Sequence, residues 1–95
     1  MQKDYRIVAY YIFTPIENPL EEVKTHQKFL ENKDIKCRIY ISQNGINAQM
    51  SGYKTDIQVY LEWMKQDVRF KEISFKIDFY HEHVFTKACV KFRKQ

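Results

Sequence analysis

The stretch CRIYISQNGINAQMS, Cys37 to Ser51, decides the fold. In its first half Cys37, Ile39 and Ile41 alternate with Arg38, Tyr40 and Ser42. In its second half Ile46, Ala48 and Met50 alternate with Asn47, Gln49 and Ser51. A period of two gives each half one apolar and one polar face, as in paired strands resting on a core. Asn44-Gly45 between them predicts a type I′ hairpin turn, whose two central positions both need positive φ. The only two glycines of the chain, Gly45 and Gly52, fall within or beside this hairpin. Gly52 stands where the second strand ends and suits a sharp exit.

Upstream, YRIVAYYIF (Tyr5–Phe13) is apolar at odd and even positions alike. That pattern predicts a central strand buried, or nearly buried, on both faces. After the loop TPIENP, Asn18 is placed to cap a helix that begins at Pro19 and carries Glu21 and Glu22 in its first turn. Leu20, Val23, Gln27 and Leu30 recur at helical spacing, with Phe29 beside them, and predict a helix running to about Asn32. Downstream, Thr55 is a candidate N-cap. Ile57, Tyr60, Leu61 and Met64 form an amphipathic face that Val59 and Trp63 widen. QDVRF (Gln66–Phe70) breaks this helix. ISFKIDFY (Ile73–Tyr80) and KACVKFRK (Lys87–Lys94) then alternate as strands.

The order is strand, helix, strand, strand, helix, strand, with one further C-terminal strand. It predicts a single α+β domain over residues 1–95 with the ferredoxin-like βαββαβ arrangement, two helices covering one face of an antiparallel sheet. The other face would display Arg38, Tyr40, Asn47, Gln49 and Lys76, and, with the last strand in the sheet, Lys87, Lys91 and Arg93. Asn44 sits in the hairpin loop. Cations, amides and an aromatic on one sheet surface fit recognition of single-stranded RNA. They fit an ordinary solvated face equally well.

The net charge of +4 is localised. Residues 1–86 hold 12 Lys+Arg against 12 Asp+Glu, while Lys87, Lys91, Arg93 and Lys94 have no acid among them. A basic end on a neutral body suits a phosphate-bearing partner or a solvated tail. No apolar run approaches the roughly 20 residues that span a membrane. Nothing of signal-peptide type follows Met1. The two cysteines, Cys37 and Cys89, lack C-x-x-C spacing and read as reduced thiols of a cytoplasmic protein.

Searches for chemistry are mostly negative. His81 and His83 flank Glu82 and point the same way in an extended segment, but a zinc site wants three or four ligands. A polar corner between strands is the expected role, so no metal site is assigned. Neither cysteine has a neighbouring base or helix N-terminus to activate it, and no catalytic residue is assigned. An acylphosphatase would need an arginine in the loop after the first strand, a metallochaperone paired cysteines there, and FTPIEN has neither. The aromatic RNA-binding consensus of RRM domains is also missing. His26 is expected to be a half-buried, hydrogen-bonded histidine.

YRIVAYYIFTPIENP, RIYISQNGINAQMSG, YLEWMKQDVRF and FKIDFYHEHVFTKACVKFRK occur in this order. Together they resemble the N-terminal domain of the rhodanese-like tRNA uridine-34 hydroxylase family, over nearly all of residues 5–94. The departures are Thr86 in place of proline, Ala48 where glycine is common, and Gln95 in place of an acid. The resemblance implies an accessory domain of an enzyme that converts the wobble uridine of certain tRNAs to 5-hydroxyuridine, with molecular oxygen as co-substrate. It places the essential cysteine in a downstream rhodanese-like domain and implies no cofactor in this one. Expected partners are tRNA, through its anticodon region, and that downstream domain. The expected RNA-binding residues are Arg38, Tyr40, Asn44, Asn47, Gln49, Lys76, Lys87, Lys91 and Arg93. The alternative is a module that packs on and shapes the catalytic domain without touching RNA, using a surface around Tyr80 to Phe85.

Overall fold

Seven elements follow in the order β1 (Tyr5–Phe13), α1 (Pro19–Leu30), β2 (Ile35–Ser42), β3 (Gly45–Tyr53), α2 (Lys54–Lys65), β4 (Lys76–Tyr80) and β5 (Ala88–Phe92). The computed structural model describes residues 2–94; Gln95, one of the departures noted above, lies outside the described residues. All five strands form one sheet in the order β4-β1-β3-β2-β5. β3 pairs antiparallel with β1 and with β2, and β1 pairs antiparallel with β4. This is the ferredoxin-like α+β arrangement, with one change. β5 runs parallel to β2, so the sheet is mixed rather than antiparallel throughout. The chain leaves β4 at the end of the sheet where β1 begins. It crosses to the far edge there and can only enter β5 alongside the start of β2.

The core lies between the helices and one sheet face. Val8 and Tyr10 of β1, Ile46, Ala48 and Met50 of β3, Cys37, Ile39 and Ile41 of β2, and Val90 of β5 are all buried. Against them pack Val23, His26 and Leu30 from α1 and Ile57, Tyr60 and Met64 from α2. Each fully buried aliphatic side chain here contributes about 1.5–3 kcal/mol. Asn18 caps α1 as expected, its Oδ1 accepting the Glu21 N–H at 3.2 Å.

Several local expectations are corrected. The hairpin exists, but its loop is Gln43–Asn44, because Ser42 pairs with Gly45. Among the described residues no residue other than glycine has positive φ, so the turn is not type I′. Gly45 instead carries φ +149°, and a Cβ there would collide with the Ile12 carbonyl of β1. The glycine is needed for close approach of the neighbouring strand. α1 ends at Leu30, two residues short of the approximate end expected, and His26 rather than Leu20 or Gln27 completes its buried face. Tyr53, not Thr55, occupies the N-cap position of α2, and its side chain makes no capping bond. Val59 is exposed. β4 begins at Lys76, because Phe70 and Ile73 turn into the core before the strand can start. β1 is central but not buried on both faces: Tyr11 and Phe13 are 68% and 81% exposed.

Candidate nucleic-acid interface

Strand register places the side chains of the non-helical face in rows. Lys91 stands beside Tyr40, Tyr40 opposite Asn47, and Asn47 opposite Tyr11. One row along, Cys89 stands beside Arg38, Arg38 opposite Gln49, Gln49 opposite Ala9, and Ala9 opposite Lys76. Arg93 follows β5 and lays its guanidinium over the Tyr40 ring, 3.7 Å from the centroid. Asn44 is exposed in the hairpin loop. The fold thus places Arg38, Tyr40, Asn44, Asn47, Gln49, Lys76, Lys91 and Arg93 on this side of the sheet or at its hairpin end. Lys87 immediately precedes β5, and its carbonyl accepts the Cys37 N–H at 3.0 Å, one residue from Arg38.

The face is only partly open. Residues 81–87 cross it as a strap at the end opposite the hairpin. His83 packs edge-on against Tyr5, with ring centroids 4.8 Å apart. Its Nδ1 is 2.9 Å from the Ser51 hydroxyl and its Nε2 is 2.7 Å from Asp34 Oδ1. The Ser51 oxygen also accepts the Val84 N–H at 3.2 Å. The Arg38 guanidinium lies 5.5 Å above the Phe85 ring. Serine, histidine and carboxylate in sequence resemble a hydrolytic triad. Ser51, however, is 0% exposed and its oxygen is already engaged by the strap, so no substrate can reach it. The three residues form a latch. The pairing with His83 holds the Asp34 carboxyl below its ordinary pKa. His81 goes elsewhere, with Nε2 3.7 Å from Glu82. Ser51 and Asp34 lie 32 and 49 residues from His83, so no local spacing announces the latch.

At the hairpin end the face remains uncovered and forms a pocket of about 260 Å³ bounded by Tyr11, Phe13, Tyr40, Ser42, Asn44, Asn47 and Arg93. Tyr11, Phe13 and Ser42 were missed in the sequence. A strand apolar at every position reads as buried, and only the sheet's width against two helices and one strap shows which end stays bare.

Cys37, His26 and the β1–α1 loop are engaged within the fold. Cys37 is buried on the helical face, and burial pushes its thiol pKa up to about 11. His26 is 0% exposed rather than half-buried. Its Nε2 meets the Tyr60 hydroxyl at 3.3 Å, and its Nδ1 lies 3.4 Å from Glu22 Oε2, a charge contact without hydrogen-bond alignment. The loop after β1 cannot cradle an anion. Ile16 plugs the core, and the N–H groups of Thr14 and Ile16 are spent on the hairpin carbonyls of Asn44 and Gln43.

Residues 5–95 match the UPF0176 acylphosphatase-like domain. The chain is 46% identical over 95 residues to a tRNA uridine(34) hydroxylase of Chlamydia pneumoniae and 45% identical to one of Chlamydia felis. Those alignments cover 100% of this chain and 29% of each relative, so the chain spans under a third of the length of these curated relatives. Among solved structures it resembles the BLUF protein BlrB in its dark state, with a TM-score of 0.74 at 9% identity over 99% of this chain and 75% of that one. It also resembles full-length HypF in its phosphate- and nucleotide-bound form, with a TM-score of 0.55 at 15% identity over 93% of this chain and 12% of that one. At such identities these two show the fold alone. The chain belongs to the UPF0176 acylphosphatase-like domain family, shared with the tRNA uridine(34) hydroxylases that match it along its whole length.

Proposed function

We propose that this chain is the N-terminal accessory domain of a tRNA uridine(34) hydroxylase and contributes tRNA binding near the anticodon. The observation that carries this reading is the pair of rows Lys91–Tyr40–Asn47 and Arg38–Gln49–Lys76 on the sheet face that the helices leave free. Cations on both flanks neutralise phosphates. The amides between them can hydrogen-bond base edges, and the aromatic ring offers a stacking surface. The name carried by the relatives supplies the substrate class. The oxygen-dependent chemistry, 5-hydroxylation of the uridine in the cytoplasm, belongs in this reading to a downstream rhodanese-like domain. Neither Cys37 nor Cys89 takes part.

The test is a titration of the chain with a wobble-uridine anticodon stem-loop at two salt concentrations, following backbone amide shifts. Shifts should cluster on Asn44–Gln49 and Lys91–Lys94. Affinity should fall with salt by about 0.7 log units per log unit for each single-strand phosphate contact. Charge reversal at Arg38, Lys76 and Lys91 that leaves affinity intact would overturn the reading.

One observation favours docking as a second role. Between β4 and α2 runs a groove of about 410 Å³ lined by Arg6, Leu61, Ile77 and Phe79. Phe79 is 58% exposed there, on the helical side of an edge strand that neither helix covers. This lies beside, not within, the surface expected around Tyr80 to Phe85, much of which folds back as the strap. Resonances of Ile77 and Phe79 that ignore an added catalytic domain would remove this role.

A further inference from the structure

We propose that the pocket at the hairpin end of the open face receives a single unstacked nucleobase, held between the rings of Tyr11 and Phe13 and the Arg93–Tyr40 pair. This rests on the RNA-binding reading above and assigns it a specific subsite. The volume of about 260 Å³ falls below the roughly 300–1,000 Å³ of pockets for whole small molecules, which suits one ring system and not a nucleotide cofactor.

The walls are aromatic. Tyr11 and Phe13 are the most exposed rings on this face, with centroids 5.5 Å apart and planes at 67°, so the edge of one meets the other and flat ring surface stays bare. Opposite them the Arg93 guanidinium is held over the Tyr40 ring, 3.7 Å from its centroid. No acid pairs with Arg93 among the described residues, so its charge is available to a phosphate. The floor is polar. Asn47 stands between Tyr11 and Tyr40 in the strand register, and its amide both donates and accepts. The Ser42 oxygen accepts the Asn44 N–H at 3.1 Å, which leaves its own proton to donate.

π-faces, one amide and one free cation match an extruded base with its phosphate. An apolar side chain from a protein partner would use the rings but would strip water from the amide and guanidinium without pairing them, a net cost.

The experiment compares the wild-type chain with Tyr11→Ala and Phe13→Ala by calorimetric titration with the anticodon stem-loop RNA. A second RNA series carries one abasic nucleotide at each loop position in turn. Both side chains are largely exposed, so the core survives their removal, and circular dichroism verifies this. Each variant should bind roughly 5- to 150-fold more weakly, the range for loss of one base–aromatic stack. One abasic position should reproduce that loss in the wild type and add little to Phe13→Ala. If both variants bind like wild type while Lys91→Glu weakens binding, the base pocket is wrong and the RNA-binding reading stands. If the wild type binds no RNA, both fail. Pocket resonances that answer to an added downstream domain and not to RNA would assign the pocket to polypeptide and overturn the inference.

Discussion

The Ser51 hydroxyl and the His83 imidazole meet at 2.9 Å, joining the interior of β3 to the strap that crosses it. Ser51→Ala leaves both His83 Nδ1 and the Val84 N–H without their partner. The expected cost is about 1–3 kcal/mol in urea denaturation, with faster hydrogen exchange at the Val84 amide. A loss below about 0.5 kcal/mol would mean that packing of Tyr5 and Phe85, not the latch, holds the strap.

The Tyr10 and Tyr60 hydroxyls pair at 2.6 Å inside the core, and burial raises the pKa of both. Tyr60→Phe strands the Tyr10 hydroxyl and the His26 Nε2 together and should cost about 1–3 kcal/mol. Tyr10→Phe leaves Tyr60 its histidine and should cost less. The double variant should be more stable than the sum of the two losses predicts, because it removes both members of the pair. Strict additivity in a double-mutant cycle would refute the coupling.

Gly45→Ala should be the more damaging glycine substitution. It combines φ +149° with a collision against the backbone of β1, and neither can relax without moving a strand. A cost above about 2 kcal/mol is expected. At Gly52 a Cβ would approach Asp34 O at 2.9 Å but also the Ile35 and Ile57 side chains at 2.9 and 3.0 Å, which can shift. Thermal melts of the two variants should rank in that order, and the reverse ranking would contradict the hairpin geometry.

Acid should destabilise the domain through identifiable carboxylates. The adjacent His26 and the Arg69 guanidinium hold Glu22 below its ordinary pKa, and His83 does the same for Asp34. A depressed folded pKa contributes stability that is complete above the unfolded value, near about 4, and is lost as pH falls through the folded value. Urea midpoints should therefore drop on going below about pH 4, and Glu22→Gln should flatten that drop. An equal drop in wild type and variant would exclude Glu22 as a contributor.

The alternation of Cys37–Ser42 and Ile46–Ser51, the Asn18-Pro19 cap and the helical repeat of Ile57–Met64 each express local physics, and these features survive in the structure. What was illegible depends on the far side of the sheet. Tyr11 and Phe13 carry the same apolar signal as Val8 and Tyr10, but Val8 and Tyr10 face the helices, while Tyr11 and Phe13 point to the other face at the end the strap does not reach. Gly45 has its role through Ile12, 33 residues away in the chain, so a reading confined to the turn assigned it the wrong geometry. His26 rather than Gln27 lies on the buried face, where its Nε2 meets the Tyr60 hydroxyl, a contact that needs both helices in place. Among the expected RNA-facing residues, alternation alone put Arg38, Tyr40, Asn47, Gln49 and Lys91 on one surface. The aromatic rim of the pocket was hidden inside a strand read as core.

The single tryptophan sits on the other side of the molecule from that pocket. Trp63 stacks on Phe29 with ring centroids 4.0 Å apart and planes 8° from parallel, and it lies edge-on to His26 at 4.9 Å. Its emission is therefore a native optical gauge of the junction between α1 and α2. It should report melting of the helix layer and stay silent when a ligand settles on the opposite face. Any change in its colour on adding RNA would be a signal carried through the sheet itself.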